Sequence, residues 1–237
     1  VRGHSNVQGD RTMGIWEKPS EEFLAALDAE FAITAPRVHG LDSTETVAAF
    51  ENDEVDVFIA MGGNFALAAS DTETLENGMR RAGLTVHIST KPNRSHVVHG
   101  RTSLILPTLG RTDLDDKHPG GAQVLSVEDS MSMVHPTRGR LRPVSEHLLA
   151  EPVIVARMAE ATLGPDHPID WRAMAEDYDV IRDRIARTLP GFEDFNRRLR
   201  QPNGFQLPNP PRDTRSFATD LGRGRFTVSP LEYLDPP

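Results

Sequence analysis

Cysteine is absent from the sequence. That removes disulfides, thiolate nucleophiles, zinc–thiolate sites and cysteine-held iron–sulfur clusters from the chemistry of these 237 residues. It also accords with a reducing, cytoplasmic location. No apolar run approaches the roughly 20 residues of a membrane-spanning helix, so no membrane span is expected. The N-terminus has no basic segment leading into an apolar stretch, and no secretory leader is read there. The first residue is Val1 rather than Met, which fits a processed product or, better, a piece of a longer chain. A basic excess is missing too: the net charge is -9 and the isoelectric point about 5.5, which argues against nucleic acid as a partner. There is no internal repeat. What remains is 38% hydrophobic and 26% charged, with a mean hydropathy of -0.42. That describes a globular chain long enough for one domain or two small ones.

Local patterning supplies the elements. Ser20 can cap a helix over Glu21 to Phe31, with Phe23, Leu24 and Leu27 on one face. Asp42 followed by Glu45 has the spacing of a capping box, and Val47 and Phe50 would point inward from the helix it opens. Val55 to Met61 is a short, β-branched apolar run ending at Gly62-Gly63, which favours a buried strand. Asp71 opens the next helix, Gly83 ends it, and Leu84 to Ile88 is a second strand. Strand, helix and strand within about 30 residues imply a parallel crossover unit. Ser103 to Leu106 and, more weakly, Val124 to Val127 are further strand candidates. Beyond Pro143 the pattern turns helical, from Pro152 to Leu163 and from Asp170 to Leu189. Residues 201–215 read as an extended connector rich in Pro and Asn, and residues 225–231 as one more strand. The expected fold is α/β and Rossmann-like, a mostly parallel sheet with helices on both faces. Residues 1–143 would form the cofactor-binding region, and residues 144–237 a helical segment with its connector.

Chemistry is expected where strands end, because ligands of doubly wound sheets collect at the carboxyl ends of the strands. Gly62, Gly63 and Asn64 follow the first strand, and paired glycines permit a tight turn and close approach of a phosphate; a plain turn is the alternative. The pair is neither a dinucleotide fingerprint nor a P-loop. Ser89, Thr90 and Lys91 follow the second strand, with hydroxyls and a cation suited to phosphate or nucleobase. Pro107, Thr108, Gly110, Arg111 and Asp113 follow the third. His135 to Arg140 forms a fourth candidate, in which Gly139 would let Arg138 and Arg140 approach one anion with bidentate guanidinium groups. A second arginine cluster, Arg197, Arg198 and Arg200, reads as ordinary surface ion pairing. The histidines show no metal-ligand spacing, Asp115-Asp116 has no acid–base context, and no nucleophile sits in an elbow.

Several of these stretches resemble one family together. Asn6-Val7-Gln8-Gly9 continuing to Gly14 is similar to the Asn-x-x-Gly-x-x-x-x-Gly segment of bis-molybdopterin guanine dinucleotide oxidoreductases. Val57 to Asn64 followed by Asp71-Thr72 resembles that family's strand-Gly-x-Asn-Pro loop, with Phe65 where the proline stands. Leu104 to Pro107 looks like a family strand end, and Thr137 to Arg140 stands in the place of its Glu-Gly-Arg stretch. Phe192 to Pro208 and Gly222 to Tyr233 are similar to the formate dehydrogenase-like alpha subunits. The resemblance implies a much longer enzyme. Cysteines of a [4Fe-4S] cluster, the molybdenum ligand and the catalytic histidine would precede Val1, and a β-barrel would follow Pro237. The present residues would then contact the guanosine and pyrophosphate of one cofactor through Gly62 to Asn64, Asp71, Thr72, Ser89 to Lys91, Pro107 to Asp113 and Arg138 to Arg140. The remaining domains of the same polypeptide are the implied partners and a small molecule such as formate the implied substrate. The piece alone is expected to be inactive and to retain no cofactor. The rival readings are a stand-alone nucleotide-binding enzyme and a non-catalytic interaction module.

Overall fold

The computed structural model describes residues 13, 18–69, 71–226 and 228. The first helix, α1 (Glu21–Phe31), starts where Ser20 accepts a hydrogen bond from the Phe23 amide. Then follows α2 (Ser43–Glu51), opened by a complete capping box between Asp42 and Glu45. Next come β1 (Val57–Met61), a single turn α3 (Phe65–Ala68) and α4 (Thr72–Arg81). β2 (Leu84–Ser89), a second single turn α5 (Arg94–Val97) and β3 (Thr102–Pro107) complete the first half.

These strands form one parallel sheet in the order β1-β2-β3, in a register that aligns Met61 with Ile88 and Ile88 with Leu106. Alternation along β2 sends Thr85 and His87 to one face and Val86 and Ile88 to the other. Over the first face, Phe50 of α2, Ala66 of α3 and Leu75 and Met79 of α4 pack with Phe58 of β1. Over the second, Val86 and Ile88 meet Ile154 and Met158 of α6 (Glu151–Leu163). The fold is therefore α/β with a parallel sheet carrying helices on both faces. No helix among the described residues is long and apolar enough to cross a membrane.

The second half departs from expectation in several places. Residues 124–127 do not extend the parallel sheet. β4 (Leu125–Glu128), β5 (Met133–Thr137) and the two-residue β6 (Phe205–Gln206) form a separate antiparallel sheet. Thus His135 to Thr137, expected in a loop, lie on a strand. The segment read as an unbroken connector supplies β6 and the turn α10 (Pro210–Asp213). The helix expected over Asp170 to Leu189 is two, α7 (Trp171–Glu176) and α8 (Tyr178–Thr188). Asp177 sits in extended backbone between them and uses its carboxylate to cap the Asp179 amide. Behind the second sheet, Val134, Phe192, Phe195 and Leu199 of α9 (Phe195–Leu199), Phe205 and Leu207 make an aromatic core. Pairing of β5 with β6 crosses the division drawn at residue 143, as does a bridge between Thr108 and Leu149. The strand read over residues 225–231 and the glycine-bearing segment before Lys18 lie almost wholly outside the described residues.

Candidate binding rim

Because β1, β2 and β3 run in parallel, their following loops emerge at one end of the sheet. Hydrogen bonds stitch these loops to one another. The Gly62 amide donates to the Ile88 carbonyl at 2.8 Å, tying the first loop to β2. Asn93, beyond the second loop, donates its side-chain amide to the Gly63 carbonyl at 2.6 Å. The Ser95 hydroxyl lies 3.2 Å from Asn64 Oδ1 and accepts from the Ala66 amide at 3.0 Å. The Thr108 amide reaches the Ser89 carbonyl at 3.2 Å, joining the third loop to the second.

The arginine turn joins the same rim. The Arg140 and Leu141 amides both donate to the Thr112 carbonyl at 2.9 Å, and the Leu114 amide donates to the Leu141 carbonyl at 2.7 Å. Gly139 is required by this approach: a Cβ there would collide with the Asp113 carbonyl oxygen. The structure therefore gathers the loop candidates at one end of the sheet. Asp71 and Thr72 open the helix that follows the β1 loop.

The candidates separate into scaffold and free groups. Asp71 caps α4 by accepting from the Thr74 amide at 3.0 Å, and that bond holds its carboxyl below the usual range. Ser89 hydrogen-bonds its own loop at the Lys91 carbonyl, 2.8 Å away. Thr108 is buried and donates to the Leu149 carbonyl at 2.8 Å. Asp113 accepts from the Gly110 amide at 2.8 Å, closing the third loop on itself. These groups shape the rim rather than face outward, and Pro107 is the last residue of β3.

Free to meet a ligand are the Gly63 amide, Thr90, and the cations Lys91, Arg111, Arg138 and Arg140, whereas the Gly62 amide and the Gly63 carbonyl are taken up by Ile88 and Asn93. Both glycines have left-handed φ, +65° and +68°, and a Cβ on either would find no atom within 4 Å. All four cations are exposed, and among the described residues none has a carboxylate within 4.0 Å. The other arginine cluster behaves differently: Arg197 pairs with Asp194 at 2.5 Å, Arg198 with Glu193 at 3.9 Å, and Arg200 with Asp179. Arg94, just after the second loop, is bound at both ends of its guanidinium to Glu76, at 2.6 Å each.

Two features escaped sequence reading. Beneath the rim, His87 of β2 and His96 of α5 lie ring against ring at 4.8 Å, both buried, with neither Nε2 atom hydrogen-bonded. His96 Nδ1 lies 2.9 Å from the Asn93 amide and 3.1 Å from Asn93 Oδ1. Burial, reinforced by the neighbouring His96, pushes the His87 pKa down. Elsewhere, Asp115 is held between His118 Nε2 at 2.7 Å and the Tyr178 hydroxyl at 2.8 Å, while His118 Nδ1 meets the Ala175 carbonyl at 2.8 Å. Burial and Asp115 push the Tyr178 phenol up. Each polar atom of this trio is already engaged, so it pins loop to helix and offers no free base. Nothing in the local sequence links residues 115, 118 and 178. Among the described residues no three His, Asp or Glu side chains are grouped to hold a metal.

No protein-family description matches the chain. Along its full length it is 56% identical to an uncharacterized oxidoreductase of Mycobacterium tuberculosis (strain ATCC 25618 / H37Rv). It is 44% identical over 236 residues to protein YdeP of Escherichia coli (strain K12). The chain spans 30% of the first protein's length and 31% of the second's.

Proposed function

We propose that this chain is the part of a longer oxidoreductase that holds an anionic organic diphosphate at the carboxyl rim of its parallel sheet. Molybdopterin guanine dinucleotide is the cofactor that its sequence resemblance implies. The observation that carries the reading is the pairing of a side-chain-free turn, open above Gly62 and Gly63, with four uncompensated cations on neighbouring loops. Backbone amides and guanidinium groups are the donors that a pyrophosphate needs, and arginine adds a planar fork matched to phosphate oxygens. The name of the mycobacterial relative supports oxidoreductase as the class.

When bound, the cofactor would supply two-electron chemistry at its metal; formate or a related small molecule is the substrate class in this reading. The residues described here bind and orient. The absence of side chains at Gly62 and Gly63 lets the diphosphate approach the Gly63 amide, Arg138 and Arg140 neutralise it, and Lys91 and Arg111 lend charge from the flanking loops. Thr90, exposed in the second loop, adds a hydroxyl. Cysteine ligands for an iron–sulfur cluster would have to come from the rest of the polypeptide, since this chain has none.

The test uses the full-length polypeptide. Molybdenum is measured by elemental analysis, and guanine nucleotide is measured after acid release, in the parent and in an Arg138→Ala/Arg140→Ala variant. Loss of two charge-assisted contacts, each about 1.5–3 kcal/mol, predicts cofactor occupancy at least about 10-fold lower under limiting cofactor. A parent protein without molybdenum would end the cofactor assignment. Unchanged occupancy in the variant would remove the arginines from the site.

A further inference from the structure

We propose that the free edge of β1 and the uncovered apolar face beside it are the seat of a β-strand, with its covering helix, supplied by the rest of the full-length polypeptide. The proposal rests on the chain being one part of a longer protein, and it is independent of which cofactor that protein carries. Within the described residues β1 has a hydrogen-bonded neighbour on one side only, β2. Its outward face carries Val57, Ile59 and Met61, which are 56%, 49% and 45% exposed. Val86 and Ile88, aligned with Ile59 and Met61 on the next strand, are buried. The difference is α6, whose Ile154 and Met158 cover β2 and do not cover the β1 side of the same face.

The opposite face at this edge is covered by α2, α3 and α4, with Phe58 packed against Phe50 and Phe65, but its rim is not closed. A groove of about 420 Å³ lies there between the start of α2 and β1, lined by Leu41, Phe58 and Phe65 together with the polar first turn of α2, Asp42 to Thr44 and Thr46. Parallel sheets are stable when both faces are covered, and a parallel sheet of three strands is small for one. An edge with alternating apolar residues and unpaired backbone groups is a template for a further strand. No strand among the described residues is in position to fill it. The residues joining α1 to α2 contain none, and β4, β5 and β6 are committed to their own sheet.

The choice of occupant follows from length. In the relatives, more than two thirds of the polypeptide lies outside the stretch that this chain matches. A strand from that remainder would continue the hydrogen-bond ladder at β1, and a helix connected to it would lie over Val57, Ile59 and Met61.

The experiment is done on the full-length polypeptide. A photoreactive p-benzoylphenylalanine replaces Ile59, and the cross-linked peptide is identified by mass spectrometry; hydrogen exchange is followed at residues 57–61 in the unmodified protein. The expected cross-link joins position 59 to a peptide of the same molecule outside residues 1–237. The β1 amides should exchange as slowly as those of β2, at least about 100-fold slower than an open edge. A cross-link to a second copy, a cross-link within residues 1–237, or none at all overturns the proposal, as does rapid exchange at β1. Molybdenum content, measured separately, leaves this result untouched.

Discussion

At the scale of single residues, the rim shows how one side-chain type takes opposite roles. Arg94 and Arg200 are neutralised by Glu76 and Asp179, whereas Arg138 and Arg140 meet no carboxylate among the described residues. Sequence pattern separated the two arginine clusters because Gly139 sits inside one of them. It could not show that Ser89, Thr108 and Asp113 would be consumed by their own loops, since those bonds depend on backbone course. His87 was likewise illegible: a histidine in an apolar strand shows its burial only once the strand is packed. The packing has a pH signature. With its folded pKa depressed, His87 is neutral in both folded and unfolded states above its ordinary value of 6.5. Below that value the unfolded chain takes up a proton that the folded state refuses. Stability therefore falls as pH drops through this window, at up to about 1.4 kcal/mol per pH unit for one proton. Urea midpoints compared at about pH 7.5 and about pH 5.5 should show the loss, and His87→Phe, beside Phe58, should diminish it.

Among the elements, those with a chemical signal at their ends were the readable ones. Ser20, Asp42 and Asp71 each cap the helix that their spacing implied. β1 and β3 fall where apolar runs end at Gly62 and Pro107, and β2 starts directly after Gly83. The single turns α3 and α5 were missed because four residues carry no periodicity. Asp177 was missed for another reason: within a helical pattern an aspartate looks like an exposed position, yet here its carboxylate ends one helix and begins the next. Capping is worth measuring at α2, where Asp42 accepts from both the Thr44 and Glu45 amides. Asp42→Ala removes those bonds and should cost about 1 kcal/mol of stability, read as a lower denaturant midpoint with an unchanged slope.

For the molecule as a whole, the parallel sheet was legible because its contacts are local in sequence, each strand pairing with the next. The antiparallel sheet was not, because β6 reaches β5 from about 70 residues away and has only two residues of its own. What holds it is packing rather than strand length. Phe205 is buried against Phe192 and Phe195, and the Arg198 guanidinium lies 4.0 Å from its ring centroid. Phe205→Ala should therefore destabilise the protein by about 3–5 kcal/mol in chemical denaturation. The same change should leave the loops after β1, β2 and β3 in place, since they hang from the other sheet, while the arginine turn follows β5 and is the part of the rim exposed to it.

Gly62 and Gly63 also bear on how such a rim can change over generations. In the proposed site, two successive left-handed positions without side chains would offer a ligand only peptide groups, which side-chain substitution does not change. On that proposal, any drift in ligand preference would be written into the flanking loops, at Thr90, Lys91, Arg111 and the arginine turn. The bend itself stays fixed, while its surroundings are free to vary.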